Sequence, residues 1–119
     1  MDAEKQTAYG KINISLDAIA TVAGEAVTNV FGVVGLGAKR SLSDDINVFF
    51  NKERFKEGVV VKKEKSNRYS VDLYVILAYG VKISEVVGEI QRQVRYFLAK
   101  AFDIRISAIN VYVQGIKRI

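Results

Sequence analysis

Two hydrophobic periods alternate along this chain, and each change of period marks a structural element. Tyr9-Gly10-Lys11-Ile12-Asn13-Ile14 repeats every second residue, which puts Ile12 and Ile14 on one face of a short strand. Ser15 then stands where a helix N-cap belongs, with Asp17 in the first turn to suit the helix dipole. From there the period lengthens. Leu16, Ile19, Ala20, Ala23, Val27 and Val30 recur at threes and fours, predicting a helix that is apolar along one side and stops at Gly32. Gly32-Val33-Val34-Gly35-Leu36-Gly37 reads as a brief buried strand between glycines. After a polar connection over 38–45, Ser43-Asp44-Asp45 caps a short second helix carrying Ile46, Phe49 and Phe50. That helix ends near Lys52, and Phe55 pins the following turn to the core.

The second half is more sharply patterned. Gly58 to Glu64 predicts a strand that becomes charged as it leaves the core, and Lys65-Ser66-Asn67 supplies turn chemistry. In Arg68 to Ala78, Tyr69, Val71, Leu73, Val75 and Leu77 share one face while Ser70, Asp72 and Tyr74 occupy the other. Together these runs predict an antiparallel hairpin, in which Asp72 can pair with a basic neighbour across the ladder. Ile76 interrupts the polar face, which predicts cover on both sides at that end. Beyond Tyr79-Gly80-Val81, the residues Val86, Val87, Ile90, Val94, Phe97, Leu98 and Ala101 form the stripe of the longest helix, with Glu89, Gln91, Arg92 and Arg95 pointing elsewhere. A last strand, Ile106 to Gly115, sets Ile109, Val111 and Val113 against Ala108, Asn110, Tyr112 and Gln114.

Residues 1–7 are polar and read as a flexible N-terminus, leaving 8–119 as one domain. The order β-α-β-α-β-β-α-β predicts an α+β fold. It is a two-layer arrangement, with a mixed sheet of about four strands and two main helices packed on one face.

Composition narrows the chemistry. The 119 residues contain no histidine, cysteine, tryptophan or proline. The first two absences remove the usual neutral-pH base, the thiol nucleophile and the commonest metal ligands. An enzyme would have to run on acids, hydroxyls and amines alone, so the expectation is a binding protein with no catalytic residues, no cofactor and no metal. Asp44-Asp45 is explained by helix capping. Gly32-Val33-Val34-Gly35 spells the GxxG of a KH loop, yet its middle positions are valine and its context is helix to strand, which favours a helix stop. Gly32, Gly35 and Gly37 also lack the spacing of a dinucleotide fingerprint. Without an apolar run of about 20 residues, and starting Met1-Asp2-Ala3-Glu4-Lys5, the chain reads as cytoplasmic with no membrane span.

Net charge is +5, and Lys52 to Arg68 holds seven bases against three acids. Within it Lys62, Lys63, Lys65 and Arg68 form a candidate patch for an anionic partner, nucleic acid or lipid headgroups; the plain alternative is a solvated hairpin. Tyr74 and Tyr112 fall on polar strand faces, and tyrosine is enriched where proteins meet. With Asn110, and with Arg92 and Arg95 on the long helix, they are the candidate interaction residues.

Several segments in succession resemble a known family. Tyr9-Gly10-Lys11-Ile12-Asn13-Ile14-Ser15 leads into a helix ending Val30-Phe31-Gly32-Val33; Val71-Asp72-Leu73-Tyr74-Val75 precedes Tyr79-Gly80-Val81-Lys82-Ile83; a glutamine-bearing helix leads to Ile109-Asn110-Val111-Tyr112-Val113. This succession resembles the alkaline shock protein (envelope stress response) family over Tyr9 to Gly115. The resemblance implies a non-enzymatic, self-associating protein that works near the inner face of the membrane, in some members through a membrane-anchored partner. It supplies no catalytic signature. The rival expectation, from charge alone, is a nucleic-acid-binding module using the basic Lys52 to Arg68 region.

Overall fold

The alternation over Arg68 to Ala78 produces the strand on which the rest is built. The computed structural model describes residues 2–7, 10–37 and 58–118. Its elements are β1 (Asp2–Thr7), β2 (Gly10–Ser15), α1 (Leu16–Thr28), β3 (Val33–Leu36), β4 (Val59–Lys63), β5 (Arg68–Ala78), α2 (Ile83–Phe102) and β6 (Arg105–Lys117). β6 runs parallel to β5 along one whole edge, from Arg68 opposite Arg105 to Ala78 opposite Lys117. The other edge is shared end to end. β3 pairs antiparallel with Val75 to Leu77, and β4 antiparallel with Tyr69 to Leu73.

β3 and β4 therefore occupy successive stretches of one edge of β5. The junction is tight. The Gly37 amide donates to the Tyr74 carbonyl at 2.7 Å. A Cβ on Gly58 would lie 2.3 Å from the Gly37 carbonyl oxygen, so only glycine fits there.

Both helices cover the same face of the sheet. Tyr69, Val71, Leu73, Val75 and Leu77 are fully buried against Ile19, Ala23 and Val27 of α1 and Ile90, Val94 and Leu98 of α2. The two helices also pack on each other. Ser15 caps α1 as its position predicts, its Oγ accepting from the Ala18 amide at 3.0 Å. Gly32 turns the chain from α1 into β3 at φ +98°, a conformation that disfavours any side chain. In the hairpin turn, Ser66 and Asn67 both take positive φ, which matches the twist of the flanking strands. The α+β fold, the mixed sheet and the two helices on one face are as the pattern predicts.

Four local expectations need correction or fall elsewhere. Residues Asp2–Thr7, read as a loose lead-in, form β1, paired antiparallel with β2 from Asp2 opposite Ser15 to Thr7 opposite Gly10. Polar side chains do not prevent this, because the ladder is made by backbone groups that seek partners whatever the side chains are. β3 is an edge segment rather than a buried strand: its register slips between Val33 and Gly35, and Val34 is exposed. Phe97 and Ala101 belong to the apolar stripe of α2 by spacing but are exposed, because the buried line runs through Val86, Ile90, Val94 and Leu98 and both lie to one side of it. The short helix with Ile46, Phe49 and Phe50, the Asp44-Asp45 pair and Phe55 lie outside the described residues.

Two substitutions test this core. Leu98→Ala should destabilise the fold by about 2–5 kcal/mol in urea unfolding, because it empties a fully buried site between helix and sheet. Tyr69 has a buried hydroxyl with no hydrogen-bond partner among the described residues. Tyr69→Phe should therefore leave stability unchanged or raise it by about 1 kcal/mol, and a clear loss would contradict this account of the site.

Candidate functional site

The face of the sheet that no described helix covers is where the predicted strand residues converge. Alternation in β5 sends Ser70, Asp72, Tyr74 and Ile76 to this face. The parallel register then sets Ala108 opposite Ser70, Asn110 opposite Asp72 and Tyr112 opposite Tyr74. From the other side β4 brings Val60 opposite Asp72, and Lys62 opposite Ser70. Ile76 is half-buried there, between Gly35 and Gly115.

Asp72 organises the middle of this face. Asn110 Nδ2 donates to Asp72 Oδ1 at 2.9 Å, and Lys62 Nζ lies 3.7 Å from Asp72 Oδ2. Asp72 is only 9% exposed, although no described helix lies over it. The Lys62 side chain is 61% exposed, so that ion pair contributes about 1 kcal/mol or less. Next to this network the rings of Tyr74 and Tyr112 stack, with centroids 4.9 Å apart and planes 16° apart. Such a pair contributes about 0.5–1.5 kcal/mol beyond its buried area. Burial pushes the Tyr74 phenol up, with smaller contributions from Asp72 and Tyr112 that Lys62 opposes.

The predicted interaction residues thus separate into two sets. Tyr74, Tyr112 and Asn110 meet on the open face, whereas Arg92 and Arg95 lie on α2, in the opposite layer. Arg92 binds the Glu89 carboxylate through Nε and Nη2, and Gln93 Nε2 donates to the same group at 2.8 Å. The Gln93 bond first, and Arg92 next, hold the Glu89 carboxyl below the usual carboxylate range. Arg95 Nη1 donates to the Ile106 carbonyl at 3.0 Å, and Gln91 Nε2 to the Ile109 carbonyl at 2.9 Å. Both side chains cap backbone acceptors of β6, a common way to blunt a sheet edge.

The candidate anionic-partner patch is also redistributed. Lys62 is engaged with Asp72, while Lys63, Lys65 and Arg68 flank the hairpin turn. Arg68 faces Arg105 across the ladder, and with Ile106 and Ser107 they line a cavity of about 340 Å³. Ser107 Oγ donates to Glu64 Oε1 at 2.7 Å beside it. Arg105 carried no sequence signal of its own; only the parallel register brings it opposite Arg68. Gln91 was equally hidden, since its role depends on where β6 lies.

Chemically, the open face is a prepared surface. Its carboxylate is already held by an amide and an ammonium, and its aromatic rings are stacked on each other. Among the described residues, no group of three or more acids is gathered in a way that suits a metal ion.

Asn110→Ala should cost about 1–3 kcal/mol in urea unfolding, because it leaves a nearly buried carboxylate short of a donor. The tyrosines supply a second test. Burial raises the folded pKa of Tyr69 and Tyr74 above the ordinary 10.0. The folded state then holds those protons more tightly than the unfolded chain, so stability is full below about pH 10 and falls as pH rises through the folded values. Absorbance titration at alkaline pH should show a tyrosine component that ionises above the ordinary 10.0. Co-titration of all six tyrosines near pH 10 would contradict the burial described here.

Comparison with known proteins places this geometry in a family. A family profile for the alkaline shock protein 23 family, described by its cell envelope-related function, matches residues 4–118. The uncharacterized protein YloU of Bacillus subtilis (strain 168) is 38% identical over 117 residues, spanning 98% of this chain and 97% of YloU. The uncharacterized protein Spy1614 of Streptococcus pyogenes serotype M6 is 42% identical over 117 residues, spanning 98% of this chain and 96% of its own length. Among solved structures, a histidine-to-alanine variant of MamM-CTD superposes with a TM-score of 0.51 at 14% identity, covering 85% of this chain and 98% of that one. That likeness is one of fold.

Proposed function

The chain belongs to the alkaline shock protein 23 family, whose described function is related to the cell envelope, and on that premise we propose that it is a non-enzymatic scaffold acting by association. In this reading it works in the cytoplasm, pairs with further copies of itself, and reaches the inner face of the membrane through a membrane-anchored protein partner. No helix among the described residues is long and apolar enough to cross a membrane.

The observation that carries the proposal is the stacked Tyr74–Tyr112 pair on the sheet face that no described helix covers, braced by Asp72, Asn110 and Lys62. Tyr112 remains 45% exposed, so a large amphipathic side chain is held in a fixed position at little further entropic cost. A flat face carrying ordered tyrosines and satisfied polar groups has the make-up of a protein interface. A two-fold pairing of such faces needs only one kind of surface.

The second reading is a nucleic-acid-binding module. The cavity lined by Arg68 and Arg105 favours it. Against it, Lys62 is paired with Asp72, and the two tyrosine rings occupy one another's faces instead of offering them to bases.

Light scattering across a wide concentration range separates the readings. Self-association is expected to shift to higher mass with concentration, and Tyr112→Glu to move that equilibrium toward monomer by tenfold or more, the effect of losing an anchor worth about 1.4 kcal/mol or above. A strict monomer at every concentration, or a variant that associates like the parent, would refute the proposal. Salt-sensitive retention of RNA at low ionic strength would favour the second reading.

A further inference from the structure

The outward side of α2 is unlike the rest of the surface. From Gln91 to Phe102 the helix has no acidic residue, and Arg92, Arg95 and Lys100 fall within that stretch, while Glu85 and Glu89 lie in its first half. Arg92, Arg95, Tyr96, Ala99 and Lys100, spaced at threes and fours, line one shallow depression of about 480 Å³. Tyr96 is 57% exposed, and Phe97, 40% exposed, meets it edge-on at 5.2 Å. Lys100 Nζ stands 5.6 Å from the Tyr96 ring centre, and Arg95 is fixed by its bond to the Ile106 carbonyl. A basic C-terminal turn suits the helix dipole, which accounts for Lys100. It does not account for two adjacent aromatic rings facing water.

We infer that, in addition to the partner-held contact proposed above, this face docks directly on an anionic bilayer surface, with α2 lying along the plane of the headgroups. Tyr96 sits at headgroup depth, where aromatic side chains are favoured, and Arg95 and Lys100 meet lipid phosphates on either side of it. Arg92 contributes less, because Glu89 shares its charge. The charges on the face and on the bilayer are complementary, and the depression is shallow and open, with the exposed Tyr96 ring set between cations. That shape suits penetration of a soft interface, whereas a nucleic acid is gripped by a groove that follows its backbone. Each basic residue near such a surface strengthens binding by about fivefold, so Arg95 and Lys100 together give about 25-fold, a reversible hold.

The inference stands independently of self-association, because α2 and the Tyr74–Tyr112 face lie in opposite layers. A copy held on the bilayer by α2 turns its open sheet face toward the cytoplasm, free to take a second copy or a partner.

Sedimentation of the full chain with vesicles tests it directly. Vesicles containing phosphatidylglycerol should carry the protein down at low salt, and vesicles of phosphatidylcholine alone should not. The double variant Tyr96→Ser with Lys100→Glu should bind the anionic vesicles at least tenfold more weakly, and Tyr112→Glu should bind them like the parent. If the double variant does not melt cooperatively, Lys100→Glu alone, at an exposed position, should still weaken binding at least fivefold. Absence of binding to phosphatidylglycerol vesicles at low salt overturns the inference, as does undiminished binding by the folded variants. So does retention of single-stranded RNA that depends on Tyr96 and Lys100 while vesicles go unbound.

Discussion

Strand β5 is the constraint on which this molecule depends. Its helix-side face consists of five fully buried side chains, and both its edges are hydrogen-bonded along their length. Shifting it by one residue would carry Tyr69, Val71, Leu73, Val75 and Leu77 out of the core and replace them with Ser70, Asp72 and Tyr74. The burial of those apolar groups therefore fixes the register of β3, β4 and β6 together. It also decides what the opposite face contains. Because Val71, Leu73, Val75 and Leu77 are committed to the helices, the open face receives Asp72 and Tyr74, with Ile76 at its end, and β6 answers with Asn110 and Tyr112.

The large elements were legible because each carries one clean period. β5 alternates over its whole length, α1 and α2 hold stripes at threes and fours, and Ser15 marks the start of α1. The shared face of Asp72 and Tyr74 followed from alternation alone, as did that of Asn110 and Tyr112. Their meeting did not, because it needs β6 to lie parallel to β5 with α2 crossing between them, and alternation carries no information about which strands are neighbours. Bulges were hidden for a related reason. Ser107 and Gln114 each add a residue to β6 without a partner in β5, so Ile116 returns to the helix side opposite Leu77. Arg92 and Arg95 looked like companions of the tyrosines only because sequence cannot say on which side of a sheet a helix packs. β1 escaped notice because backbone pairing leaves little trace in polar side chains.

Two faces with different chemistry emerge from one core. The sheet face is ordered, flat and internally satisfied, with hydroxyls and an amide placed by strand register. The helix face is cationic and aromatic, and its ordering comes from side chains that cap β6. Such a division suits a protein whose work is to hold things in place. The family's relation to the cell envelope gives the proposed division a setting.

Photocrosslinking from position 112 in living cells tests the central claim most directly, because it reads what touches the open face without disturbing the core. The account predicts crosslinks to Tyr74 or Tyr112 of a second copy, or to a membrane-anchored protein, with none from a probe at a buried control position. Crosslinks to nucleic acid alone, or none to any macromolecule at native abundance, would contradict it.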